Sequence, residues 1–146
     1  MKITICGSMV FVDQMNLLKA DLEKIGHEVI SPQVISGGVP FRRLVENRGG
    51  IAKLDKDDPI WQLKANAIDD HFKKIAWCDA VLIANYDKNE MAGYVGGNTL
   101  MEIAVARFLG KRILVLKEID NGLNYKEEIL GCLPIILGED LSSIDT

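Results

Sequence analysis

The chain has 146 residues, 48% of them hydrophobic and 26% charged, which is the size and balance of one globular domain around a single core. Its formal net charge of −4, with 17 basic against 21 acidic residues, argues against a binder of nucleic-acid polymers, whose nonspecific affinity rests on surplus Lys and Arg. Cys6, Cys78 and Cys132 are far apart and each lies in or beside an apolar run, so a disulfide framework is not expected and a reducing cytoplasm is. With only His27 and His71 there is no visible Cys/His metal cluster, and neither metal nor cofactor is expected. The opening "MKITICGS" lacks the apolar core of a signal peptide, and no segment approaches the roughly 20 apolar residues of a membrane span.

The run Ile3 to Cys6 is short and β-branched and is closed by Gly7-Ser8, which predicts a buried first strand. Phe11, Met15, Leu18, Leu22 and Ile25 then recur at intervals of four and three, the stripe of an amphipathic helix, with Gly26 in the place of a C-terminal cap. "HEVISP" reads as a second strand halted by Pro32. From Gln33 to about Lys56 glycine and charge appear without any sustained period, so residues 33–56 read as a long loop or flap, either functional or disordered. Asp57 or Asp58 can cap the next helix with Pro59 at its first position, and Trp61, Ala65, Ile68, Phe72 and Ile75 carry its apolar stripe to about Trp77.

"AVLIAN" reads as a third strand, apolar nearly throughout as befits a strand covered on both faces, and the loop "YDKNEMAGYVGGN" follows it. Thr99 to Leu109 is helical and is closed by Gly110. "RILVLKE" reads as a fourth strand, Tyr125 to Leu130 as a short helix, and "PIIL" as a brief last strand. Strand and helix alternate throughout. The economical architecture is therefore an α/β three-layer sandwich on a flavodoxin- or Rossmann-like parallel sheet of about five strands.

In open sheets of this kind ligands bind beyond the carboxyl ends of the strands where strand order reverses, which for a flavodoxin-like order lies between the first and third strands. The loops meeting there are "CGSMVF", with Gly7, Ser8, Met9 and Phe11, and "YDKNEMAGYVGGN", with Gly96, Gly97 and Asn98. Glycine at a strand exit allows a ligand close to the backbone, and the helix beginning near Thr99 aims free N–H groups at the same place.

Glu102 has two readings. Thr99-Leu100-Met101-Glu102 matches the S/T-x-x-E capping box, which contributes about 1 kcal/mol. A carboxylate fixed on a rigid helix at the mouth of the sheet is also a competent nucleophile, able to attack an anomeric carbon as in retaining glycosidases. Such chemistry needs a second group to protonate the departing base. Asp69, Asp70 and His71, near the end of the preceding helix, are candidates; their ordinary reading is two exposed acids and a histidine on a helix surface. Asn98 is either an N-cap or a hydrogen-bonding partner of a sugar hydroxyl or phosphate.

The segments "KITICGSMVFVDQ", "DDHFKKIAWCDAVLIANYD" and "GGNTLMEIAVARFLGKRILVL" together resemble the nucleoside 2-deoxyribosyltransferase superfamily, which includes nucleoside 5′-monophosphate N-glycosidases. The resemblance covers roughly the first 30 residues and Ile68 to Leu116. It implies a flavodoxin-like sheet, cleavage of a base–sugar bond in a small-molecule nucleoside or nucleotide, and a nucleophilic Glu102. It sets Gly7 and Ser8 beside the sugar and base, and His71 stands where the family often has an acid. It implies a homodimer or larger homo-oligomer in which a neighbouring subunit completes the site, with Asn121, Asn124 and Tyr125 as candidate contributors. "GGNTLME" is also similar to the GGxGTxxE signature of phosphoribohydrolases, with Asn98 where a glycine would stand, and a non-catalytic nucleotide-binding module is a third reading. Arg42, Arg43 and Arg48 could neutralise a 5′-phosphate, or be solvated surface charge.

Overall fold

In the computed structural model residues 1–33 and 40–145 are described. The elements in chain order are β1 (Lys2–Cys6), α1 (Val12–Lys24), β2 (Glu28–Ile30), α2 (Phe41–Asn47), α3 (Ile60–Trp77), β3 (Ala80–Ile83), α4 (Gly97–Phe108), β4 (Arg112–Val115), α5 (Lys126–Gly131) and β5 (Ile135–Ile136). The five strands form one parallel sheet in the order β2-β1-β3-β4-β5. This is the expected α/β fold class with the flavodoxin-like strand order, whose reversal lies between β1 and β3. The chain divides into two compact units, Met1–Pro32 with Lys74–Thr146, and Gln33–Lys73.

The first unit holds the sheet. Alternation in β1 sends Ile3 and Ile5 to one face, where they join Ala80, Leu82 and Leu114 under Met15, Leu18 and Leu22 of α1 and Ile144 near the C-terminus. Each such side chain stabilises by about 2 kcal/mol when fully buried. The opposite face takes the polar Thr4, whose hydroxyl donates to the Lys74 carbonyl in the last turn of α3 at 2.8 Å, and packs against α4 through β3 and β4. Helices thus cover both faces and β3 is buried at every position, as its unbroken apolar run requires. One position of the α1 stripe departs: Ile25 is 53% exposed, because it caps the helix where Gly26, at φ +98°, turns the chain away.

The second unit corrects the sequence reading of residues 33–56. Within its described part the chain is not loop throughout: α2 occupies Phe41–Asn47, followed by a 3-10 turn at Ile51–Lys53. The period was invisible because about two turns of helix carry too few apolar positions to repeat. Phe41 meets the Trp61 ring at 6.0 Å, and the Lys64 ammonium lies 5.0 Å from the Phe41 centroid. Asp58 starts α3 as foreseen, accepting the Ile60 amide at 3.0 Å, and its other oxygen accepts Arg48 Nε at 2.7 Å. Those two donors hold the Asp58 carboxyl below its usual pKa. Residues 34–39 of the expected flap lie outside the described residues.

Candidate functional site

β1 and β3 stop level with each other, since Cys6 and Ile83, their last residues, are register partners. The chain leaving β1 is pressed against the chain leaving β3: the Ala84 amide donates to Cys6 O at 2.8 Å, and a Cβ on Gly7 would lie 3.1 Å from Ala84 O and 3.0 Å from Met15 Sδ. Glycine at position 7 is thus a demand of close approach. Ser8 is extended and half-buried, and it leads into a 3-10 turn, Met9–Phe11. Met9 packs on the core, and the buried Phe11 meets Tyr86 edge-on at 5.5 Å.

The β3–α4 loop is held by side chains that local sequence patterns did not flag. Asn85, 1% exposed, donates to Lys117 O at 2.8 Å and to Gly93 O at 3.3 Å, and accepts the Lys117 amide at 2.9 Å. Asp87 Oδ1 accepts the Gly93 amide and the Lys117 ammonium, both at 3.0 Å, and these donors hold its carboxyl below the usual range. The Asp120 amide donates to Ala92 O at 3.2 Å, and the Tyr125 hydroxyl donates to Val95 O. The β3–α4 loop is therefore laced to the loop after β4. Nothing in a local window announces pairs about 30 residues apart.

This lacing fixes where α4 begins, and it overturns the capping-box reading of Glu102. The N-cap is Gly96, with no side-chain cap, and the Leu100 amide donates to Gly96 O at 2.9 Å. Gly97, Asn98 and Thr99 are the first three helical residues, so Asn98 is not an N-cap and Thr99 stands three positions too late to be one. Glu102 falls in the second turn, beyond the orphan amides that a capping box satisfies. The amides of Gly97, Asn98 and Thr99 precede the first intrahelical bond and face away from the helix body.

Glu102 is 8% exposed and lies on the inward stripe of α4 with Thr99, Ile103 and Ala106. Its carboxylate and Cys6 Sγ lie within 4.8 Å of each other. Since Cys6 ends β1 opposite the end of β3, the carboxylate sits where the strand order reverses. Burial, then Glu102, then Cys78 push the Cys6 thiol well above its ordinary pKa, so Cys6 is a neutral neighbour and not a thiolate.

Of the expected residues, Gly7, Ser8, Met9, Phe11, Gly96, Gly97, Asn98 and Glu102 all belong to the first unit, on the loops and helix at the carboxyl end of β1 and β3. Asp69, Asp70 and His71 belong to α3 within the second unit. Asp69 and Asp70 are exposed. His71 differs from a surface histidine: it is 9% exposed, one turn before the buried Ile75 on the apolar stripe of α3. The Tyr125 hydroxyl donates to Val95 O of its own chain, and Asn121 Oδ1 accepts Lys126 Nζ at 2.9 Å. Asn124 is exposed. Among the described residues no helix is long and apolar enough to cross a membrane.

No protein-family model and no curated protein matches the chain. Solved structures do. The CMP N-glycosidase of Clostridium botulinum superposes with a TM-score of 0.50 at 18% identity, over 94% of this chain and 89% of that one. The 2-deoxyribosyltransferase of the psychrotolerant bacterium Bacillus psychrosaccharolyticus gives 0.49 at 18% identity, over 93% and 98%. That of Leishmania mexicana gives 0.48 at 17%, over 79% of this chain and 63% of its own. At 18% identity, what this chain shares with the CMP N-glycosidase is the fold, the parallel α/β sheet that sets Glu102 at its reversal point.

Proposed function

We propose that this protein cleaves the N-glycosidic bond of a nucleoside, a deoxynucleoside or their 5′-monophosphates, with Glu102 as nucleophile. The observation that carries the reading is a buried carboxylate on the inward stripe of α4, within 4.8 Å of Cys6 at the end of β1. Buried carboxylates are costly and concentrate where chemistry requires them. The fold shared with a protein named as a CMP N-glycosidase supports the choice of bond.

A Glu102 oxygen attacks the anomeric carbon, the carbon–nitrogen bond breaks with its electrons going to the base, and an acid delivers a proton to that base. Asp70 and His71 are the proposed acids, with Asp69 beside them. Water or a second base then attacks the same carbon and frees the Glu102 carboxylate. Gly7, Ser8, Met9 and Phe11 line the sugar and base, while Gly96, Gly97 and Asn98 offer amides to sugar or phosphate oxygens. No cofactor enters this scheme. The protein is proposed to act in the cytoplasm as a homodimer or larger homo-oligomer, which light scattering at micromolar concentration checks: a fully active monomer contradicts it.

The test is incubation with a panel of ribo- and deoxynucleosides and their monophosphates, with chromatography for free base. Glu102→Gln keeps the shape of the side chain, and base release should fall by about 10³-fold or more. Full activity in the folded variant sinks the nucleophile. Base should also appear without an added acceptor, because any nucleophile admitted to the anomeric carbon resolves the intermediate, and deoxy substrates should turn over faster than ribo ones. Strict dependence on a second base would mark a transferase that excludes water.

A further inference from the structure

We infer that Tyr125 is a positioning residue for Glu102, acting through the start of α4; the inference rests on the reading of Glu102 given above. α4 begins with two glycines, Gly96 as N-cap and Gly97 as the first helical residue, and no side chain caps it. Glycine gives up more backbone freedom on ordering than any other residue, so such a start is loose unless something outside the helix holds it. The residue just ahead of the glycines is held. Val95 is 1% exposed, and its carbonyl accepts the Tyr125 hydroxyl.

Tyr125 is itself anchored. It immediately precedes α5, and the loop before it is pinned by the buried Ile119 and Leu123 and by Lys126 Nζ, which donates to Ile119 O at 2.6 Å. Upstream, the Asn85–Lys117 and Ala92–Asp120 contacts fix the rest of the β3–α4 loop. The hydroxyl is thus the final fastening before the helix, five residues before Glu102 counted from Gly97. Loosening it lets the first turn of α4 tilt, and a displacement of about 1 Å at a reacting group is enough to lower the rate by about 10²-fold. Burial, with Tyr94 as the lesser cause, raises the Tyr125 pKa, so the hydroxyl keeps its proton for Val95 across the physiological range.

The experiment is Tyr125→Phe, which deletes the hydroxyl and leaves the ring, with two readouts. In the first, amide exchange is measured on the unliganded protein. The Leu100 amide, which closes the first turn of α4, should exchange about tenfold faster while Val115 in β4 is unchanged. Equal rates at Leu100, or equal acceleration at Val115, overturn the inference. In the second, with whichever substrate of the panel the wild type cleaves, kcat should fall about tenfold and KM should stay within twofold. An unchanged kcat, or a loss confined to KM, also overturns it. Glu128→Ala, at an exposed position of α5 three residues beyond Tyr125, serves as control and should leave both readouts at wild-type values. If the wild type cleaves nothing in the panel, the reading of Glu102 fails by itself, and Leu100 exchange alone decides whether the tether exists.

Discussion

Gly93 and Asp87 show how single residues in the β3–α4 loop set the site from a distance. Gly93 has φ +60°, and a Cβ there would lie 2.0 Å from the Glu118 carbonyl oxygen, a backbone atom that cannot swing aside. Gly93→Ala should therefore destabilise the fold by about 3 kcal/mol in urea unfolding, and a loss under 1 kcal/mol would mean the loop relaxes. Asp87 gives a pH dependence. The Gly93 amide and the Lys117 ammonium depress its folded pKa, so its contribution is complete above the unfolded value of about 3.9 and is lost as pH falls through the folded one. Urea midpoints of Asp87→Asn and wild type should differ at pH 7 and converge well below pH 4. A difference that persists there would assign the effect to packing, not charge. Neither residue was legible in the sequence, because each acts on backbone groups that only the fold brings near.

At the scale of elements, the strands were the most legible. β3 reads as an unbroken apolar run, and β1 and β4 as short apolar runs interrupted only by Thr4 and preceded by Lys2 and Arg112, as suits strands covered on both faces. α1 and α3 were legible from their stripes. α2 was not, for want of length, and the start of α4 was misplaced because Thr99 and Glu102 imitate a capping box at the wrong turn. Local pattern favours Thr99 as the cap, whereas tertiary lacing through Tyr125 and Asn85 selects Gly96. Glu102 was legible as a residue of interest, while its burial on the core stripe was not. Gly97 offers a check on the revised start. A Cβ there meets nothing within 4 Å and its φ is ordinary, so Gly97→Ala should stabilise the protein by about 0.5–1 kcal/mol. Destabilisation would mean that α4 does not begin where the structure has it.

For the whole molecule, strand–helix alternation was enough to give a parallel sheet of about five strands, whereas its flavodoxin-like order came with the family resemblance. The division into two units was not foreseen, since α3 runs unbroken from one into the other. The net charge of −4 implies that the protein will not be retained on immobilised DNA at about 0.15 M salt, where retention would require a basic face. The lacing around α4 has a further consequence for the order of assembly. Val95 and Tyr125 are 30 residues apart and Asn85 and Lys117 are 32 apart, whereas β1 meets the β3 end of the sheet across 77 residues, as between Lys2 and Asp79. Chain closure grows harder with separation, so the segment from β3 to Tyr125 should gather first and β1 should dock onto it later. The helix bearing Glu102 would then be seated before Cys6 arrives beside it, and pulse-labelled exchange during refolding should protect Leu114 earlier than Ile5.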